Sequence, residues 1–268
     1  PGLVYNHIRT GSWTAITRPL VCSLLAGLSL GLYLVTWLGA LLFIFIVFVF
    51  FVIQFVIDHV RGKNTDYLGF TGIVAFLAAI LVVLPFSPPR EYIAALLGGL
   101  AGIAALSFLS WLLLRRGVKG VYYPVVIFGA GIILVVLFYI VDAATVTAMI
   151  GKFSFIMPSG ARLTTIEAQP LFFSEGIFSV ELAWLNFTTG LFLAVIGLGI
   201  LIHRVIKGWQ PDIVLLVVWS LVILLATLVM RRFAYYYAIN VALLTGFTGW
   251  FLLSYMGFGK AIPSAESL

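Results

Sequence analysis

The amino-acid sequence predicts an all-α polytopic membrane protein of about eight transmembrane helices with one long extracytoplasmic loop. Apolar residues make up 63% of the 268 positions, against about 45–50% in an ordinary soluble domain. Charged residues make up 9%, against about 25% there. The apolar residues also fall into runs of span length distributed along the chain. No single soluble interior of this size could hide that much apolar surface, so the runs read as spans.

A helix crossing about 30 Å of hydrocarbon needs about 20 residues. The runs lie near 20–37, 40–57, 68–85, 92–114, 122–141, 187–206, 212–230 and 235–256. The first two form one apolar stretch, which Thr36-Trp37-Leu38-Gly39 divides: a glycine and an interfacial tryptophan suit a tight turn there. Pro85 ends the third run, with Pro88-Pro89 behind it, and Gly117 and Gly120 mark the turn after the fourth. The pairs Gly27/Gly31 and Gly98/Gly102 have the four-residue spacing that lets helices approach closely. Between the fifth and sixth runs, 142–186 is the longest stretch that is not hydrophobic.

Charge orients these spans. With a cytoplasmic N-terminus, one side holds Arg9, Arg18, Arg61, Lys63, Arg115, Arg116, Lys119, Arg204, Lys207 and Lys260. The other holds Arg90, Lys152, Arg162, Arg231 and Arg232. Positive charge concentrates on the cytoplasmic side of membrane proteins, so ten against five puts the 142–186 loop outside. Arg231 and Arg232 run against that trend as neighbours at an outer helix end. The loop gathers Asp142, Glu167, Glu175 and Glu181, four of the nine acids.

Several function classes find no support. The net charge of +6 reads as charge beside spans, and no nucleic-acid partner is expected. Cys22 is the sole cysteine, which excludes an intrachain disulfide. No repeat, Gly-rich phosphate loop, Cys/His cluster or nucleophile elbow is present. His7, His59 and His203 are scattered and read as interfacial histidines.

The candidate chemistry lies in two places. Thr164-Thr165-Ile166-Glu167-Ala168-Gln169-Pro170 sets a carboxylate among hydroxyl and amide groups in the outer loop. Thr164, Thr165 and Gln169 can hold a backbone or an amide by hydrogen bonds, and Glu167 can accept an amide proton or join a metal. Arg232 is a natural bidentate clamp for a phosphate, against a plainer reading as a snorkelling side chain. Tyr235, Tyr236 and Tyr237 follow it, as an aromatic belt or the wall of a lipid groove. Asp142, Glu175 and Glu181 read as solvated acids. Gly176-Ile177-Phe178, between the last two, suits an interfacial half-helix. Asn186-Phe187-Thr188 matches a glycosylation sequon by chance, beside the membrane.

Three segments together resemble the catalytic subunit of oligosaccharyltransferase in its archaeal and bacterial single-subunit forms. They are Gly27–Ala40 with its Thr36-Trp37 turn, the Thr164–Pro170 loop, and the Arg232–Leu244 start of a late span. The second departs from the family at Thr165, where a β-branched apolar residue is preferred. Their order, spacing and membrane side agree with the family's thirteen-span GT-C fold, of which this chain would cover the fifth to twelfth spans.

The resemblance implies an enzyme that moves an oligosaccharide from a polyprenyl-(di)phosphate donor to asparagine in Asn-X-Ser/Thr acceptor polypeptides. It implies Mg²⁺ or Mn²⁺ as cofactor, Glu167 as the catalytic carboxylate and possible metal ligand, and Arg232 as the donor-phosphate ligand. Thr164, Thr165 and Gln169 would shape the loop over the acceptor. The family's other metal-binding acids precede its fifth span, and its Trp-Trp-Asp motif lies in a soluble domain after its last. Neither is in these residues, so the chain reads as a transmembrane portion with the soluble C-terminal domain absent. Two other readings stay open: a GT-C glycosyltransferase using a polyprenyl-phosphate monosaccharide on lipid or hydroxyl acceptors, and a non-catalytic transporter or scaffold.

Overall fold

The computed structural model describes residues 14–37, 40–152, 166–174 and 177–257. Two compact units divide the chain, Pro1–Phe153 and Ser154–Leu268. Among the described residues eight helices are long and apolar enough to cross a membrane, the first at Ile16–Thr36 and the last at Arg231–Tyr255.

The first unit holds α1 (Thr14–Thr36), α2 (Leu41–Val60), α3 (Asp66–Val83), α4 (Arg90–Arg115), α5 (Tyr123–Val141) and the shorter α6 (Ala143–Lys152). Helix α1 stops at Thr36 and α2 starts at Leu41, so the Thr-Trp turn divides the first apolar stretch as expected. Pro85 sits in a 3-10 turn, Leu84–Phe86, that closes α3. Pro89 directly precedes α4. A proline lacks the N–H that a helix interior needs, so both positions are boundaries.

Helix α1 packs most extensively on α3. A Cβ added at Gly27 would collide with the Ala75 carbonyl, and one at Gly31 would meet Val82. The second glycine pair is off by one position. Space beside Gly98 is open, whereas Gly99 lies against the Phe76 ring and Gly102 against Phe48. Four-residue spacing finds a helix face but does not say which of two adjacent glycines points at a neighbour.

Polarity in this unit is inverted relative to a soluble fold. Large apolar side chains lie outside: Phe128, Ile140 and Val141 of α5 are each more than 70% exposed. Polar ones lie inside: Gln54, Asp58, His59, Thr65 and Ser110 are buried. Lipid accepts the first arrangement, and internal hydrogen bonds make the second tolerable for Asp58, His59, Thr65 and Ser110. Tyr67 donates to Asp58 Oδ2 at 2.6 Å. His59 Nδ1 pairs with Ser110 Oγ at 2.8 Å, Ser110 Oγ with Thr65 Oγ1 at 2.9 Å, and the imidazole stacks on Tyr123 at 4.0 Å. His59, in the last turn of α2, is thus a buried and partnered histidine.

Asp142 caps α6. Its Oδ1 accepts the Thr145 amide at 3.0 Å and its Oδ2 the Thr145 hydroxyl at 2.6 Å. The hydroxyl bond first, then the amide bond, holds this carboxyl below its ordinary pKa.

The second unit opens on a 3-10 turn, Ile166–Ala168, followed by the strands β1 (Phe173–Ser174) and β2 (Ile177–Phe178). They pair antiparallel, Phe173 opposite Phe178, so Ile177-Phe178 is a strand where the sequence suggested a half-helix. Helix α7 (Glu181–Phe187) comes next. Thr188, at φ 49°, turns the chain, and the sixth span starts at Gly190, three residues later than the hydropathy run. The spans of this unit are α8 (Gly190–Gly208), α9 (Pro211–Val229) and α10 (Ala234–Tyr255). Helices α8 and α10 meet where Gly197 faces the Leu244 carbonyl and Thr248. Thr245 donates to the Gly190 carbonyl at 3.1 Å, and Asn240 to Ser220 Oγ of α9 at 3.0 Å. Such polar ties hold helices together where lipid supplies no hydrophobic drive.

Candidate functional site

The turns that carry Glu167 and Arg232 meet at the junction of α9 and α10. Helix α9 ends at Val229, because Met230 is extended at φ −146° and buried. A 3-10 turn, Arg231–Phe233, then leads into α10, with Phe233 buried as its anchor. Any helix leaves its last carbonyls without internal partners. Here the loop supplies one: the Leu171 amide donates to the Leu228 carbonyl at 3.2 Å. Leu171 itself is buried, which fixes the loop at that point.

Beside it, the Arg231 amide donates to the Gln169 carbonyl at 2.9 Å. The Arg231 guanidinium continues the attachment. Its Nη2 donates to Gln169 Oε1 at 3.1 Å and to the Phe173 carbonyl at 2.9 Å, and its Nε to the Pro170 carbonyl at 3.4 Å. One planar fork thus serves three successive parts of the loop.

Arg232 is used differently. It is exposed, and its guanidinium lies 5.4 Å from the Phe233 ring centroid, within cation–π range. Its planar donor edge therefore stays available to an incoming anion. Glu167 is exposed on the Ile166–Ala168 turn, and that turn packs directly against the Arg231–Phe233 turn. The structure so packs together two turns whose carboxylate and guanidinium belong to residues 65 apart in sequence. Thr164 and Thr165 lie outside the described residues. Gln169 is half-buried and directs its amide oxygen at Arg231, so it shapes the loop.

The three tyrosines after Arg232 separate by helical rotation. Tyr235 is 74% exposed and Tyr237 is fully buried, edge-on to Phe187 at 5.6 Å. Tyr237 therefore packs into the interior, and Tyr235 faces outward. Neither Arg231 nor Leu171 is a candidate site residue in the sequence. The signal for Arg231 was its place beside Arg232 on the side where cations are disfavoured. Leu171 gave none.

Among the described residues, no three His, Cys, Asp or Glu side chains come together as a metal site. Glu167 lies on a turn packed against the turn that carries Arg231 and Arg232. The described residues alone do not make a metal centre.

No family model matches the chain. It is similar to dolichyl-phosphooligosaccharide-protein glycotransferase 3 of Archaeoglobus fulgidus, at 24% identity over 88% of this chain and 29% of the relative. It is also similar to the dolichyl-monophosphooligosaccharide–protein glycotransferase AglB of Haloferax volcanii, at 26% identity over 62% of this chain and 17% of the relative. The chain thus spans less than a third of the curated relatives it matches. Among solved structures it superposes on the A. fulgidus oligosaccharyltransferase AglB in complex with an inhibitory peptide and a dolichol-phosphate. That match has TM-score 0.79 and 22% identity, covering 94% of this chain and 31% of AglB. The apo crystal structure of the A. fulgidus enzyme gives TM-score 0.82 at 22% identity, over 92% and 30% of the two chains. The same enzyme tethered to an acceptor peptide containing an NVT sequon gives 0.76 at 24%, over 98% and 31%. The fold is therefore that of the polytopic GT-C membrane region of an archaeal oligosaccharyltransferase.

Proposed function

We propose that the protein takes part in N-glycosylation, moving an oligosaccharide from a polyprenyl-(di)phosphate donor to asparagine of Asn-X-Ser/Thr acceptors. The observation that carries this reading is the packing of the Glu167 turn against the Arg232 turn, with Arg231 engaged in the loop and Arg232 left exposed. The relatives' names support the donor and acceptor classes: one A. fulgidus structure holds a dolichol-phosphate and another an NVT peptide. The count of positive charge supports an extracytoplasmic active face.

An asparagine amide is a weak nucleophile, because its nitrogen lone pair is delocalised into the carbonyl. Glu167 accepts a hydrogen bond from the amide N–H and turns that nitrogen toward the sugar. The N–C1 bond forms as the bond between C1 and the phosphate oxygen breaks, and the amide proton leaves toward the carboxylate. Arg232 pairs with the donor phosphate and takes up the negative charge that grows on it as the sugar departs. Thr164, Thr165 and Gln169 shape the loop over the acceptor. The resemblance implies Mg²⁺ or Mn²⁺. The described residues do not form its site, and no step here runs through it.

The test is transfer from a lipid-linked donor to a sequon peptide by the intact protein in membranes. Glu167→Gln should cut turnover by about 100-fold or more while insertion is unchanged, in the range expected for loss of a proton-accepting group. Normal turnover in that variant would overturn the assignment. Transfer to lipid or hydroxyl acceptors in place of the peptide would favour a different GT-C glycosyltransferase.

A further inference from the structure

We infer that Arg231 is a positioning residue, which locks the Glu167 turn onto the start of α10 so that Glu167 and Arg232 stand in fixed register before substrates arrive. The inference deepens the reading above and rests on it for its kinetic arm.

Four hydrogen bonds carry it. The Arg231 amide holds the Gln169 carbonyl, and the guanidinium holds Gln169 Oε1 and the Pro170 and Phe173 carbonyls, at 2.9 to 3.4 Å. These acceptors span both sides of Pro170, so one rigid group fixes the chain from the Glu167 turn to the first strand. Arg231 is half-buried, and Arg232, next in sequence, is exposed. Any shift of residues 169–173, which directly follow the Glu167 turn, relative to Arg232 therefore breaks the Arg231 bonds. A lysine keeps the charge but not the planar fork, and cannot reach the three acceptors of the Arg231 guanidinium together. Misplacement of a reacting group by about 1 Å can cost about 100-fold in rate.

The experiment uses the intact protein in nanodiscs, with a lipid-linked donor and a sequon peptide. Variants are Arg231→Ala, Arg231→Lys, Gln169→Ala, Arg232→Ala and Glu167→Gln. Arg231→Ala should lower kcat by about 100-fold while the donor KM stays near wild type. Arg231→Lys should recover only part of the loss. Gln169→Ala, which removes one bond of the four, should cost about fivefold. Amide hydrogen exchange at 169–173 should speed up in Arg231→Ala while α9 and α10 keep their protection.

A donor KM that rises in Arg231→Ala as in Arg232→Ala would overturn the inference, because Arg231 would then be a phosphate ligand. Unchanged exchange at 169–173, or full activity in Arg231→Ala, would also overturn it. If Arg231→Ala does not fold, Arg231→Lys and Gln169→Ala decide by the same measurements. Retained transfer in Glu167→Gln, with fast exchange in Arg231→Ala, would sink the functional reading and leave the clamp standing.

Discussion

The Arg231 amide meets the Gln169 carbonyl at 2.9 Å, and through that bond the end of one span sets the position of a loop 62 residues earlier. The neighbouring Leu171–Leu228 bond runs alongside it. Two segments that contribute no regular sheet are thereby joined as a strand pair would be. The two arginines after Met230 divide the work: one is built into the scaffold, and the other faces outward.

Arg232→Ala should raise the donor KM by about 10- to 100-fold, the loss expected for charge-assisted bonds of about 1.5–3 kcal/mol. Arg232→Lys should fall between the two. Steady-state kinetics at varied donor and saturating peptide measure this. An unchanged donor KM in Arg232→Ala would count against the phosphate role.

Gly27→Val should destabilise the protein by about 1–3 kcal/mol, because the added atoms would run into the Ala75 carbonyl of α3. Gly98→Ala should be tolerated, since nothing lies within reach of its Cβ. Thermal unfolding in detergent compares them. Equal losses at both positions would contradict the packing described for α1, α3 and α4.

Tyr237→Phe should leave stability within about 0.5 kcal/mol of wild type, because the buried Tyr237 hydroxyl has no hydrogen-bond partner to lose. Ser220→Ala should cost about 1–3 kcal/mol, since it strips the Asn240 amide of its acceptor. A large loss in Tyr237→Phe would mean that the hydroxyl holds something, such as a bound water.

Asp142 gives a pH dependence of known sign. Its folded pKa lies below the ordinary value, so its contribution is present above about pH 4. It fades as pH falls toward the lower folded value. Asp142→Asn keeps a capping group but should remove this acid-side loss. Proteolytic sensitivity of α6 against pH, in both forms, reads it. Parallel acid profiles would refute the cap.

The span boundaries were legible because bilayer thickness sets helix length directly, and prolines and glycines punctuate the turns. The buried partners were not. Nothing around His59 announces Ser110, 51 residues away on another helix. Ile177-Phe178 is apolar enough for either a helix or a strand, and its pairing with Phe173-Ser174 decides. Arg231 and Arg232 were visible as a pair, but only the turn that follows Met230 determines which one points into the loop. Glu167 was legible as a carboxylate in the outer loop, while its packing beside Arg232 needed the fold.

The union of α1 with α3 also bears on biogenesis. Gly27 and Gly31 face Ala75 and Val82, so the surface that receives α1 is translated only after the whole of α2. During synthesis α1 is thus made before the α3 surface that its small-residue face packs on. A nascent chain arrested after α2 should therefore leave Gly27 accessible to crosslinking by translocon components, and release it once α3 has emerged.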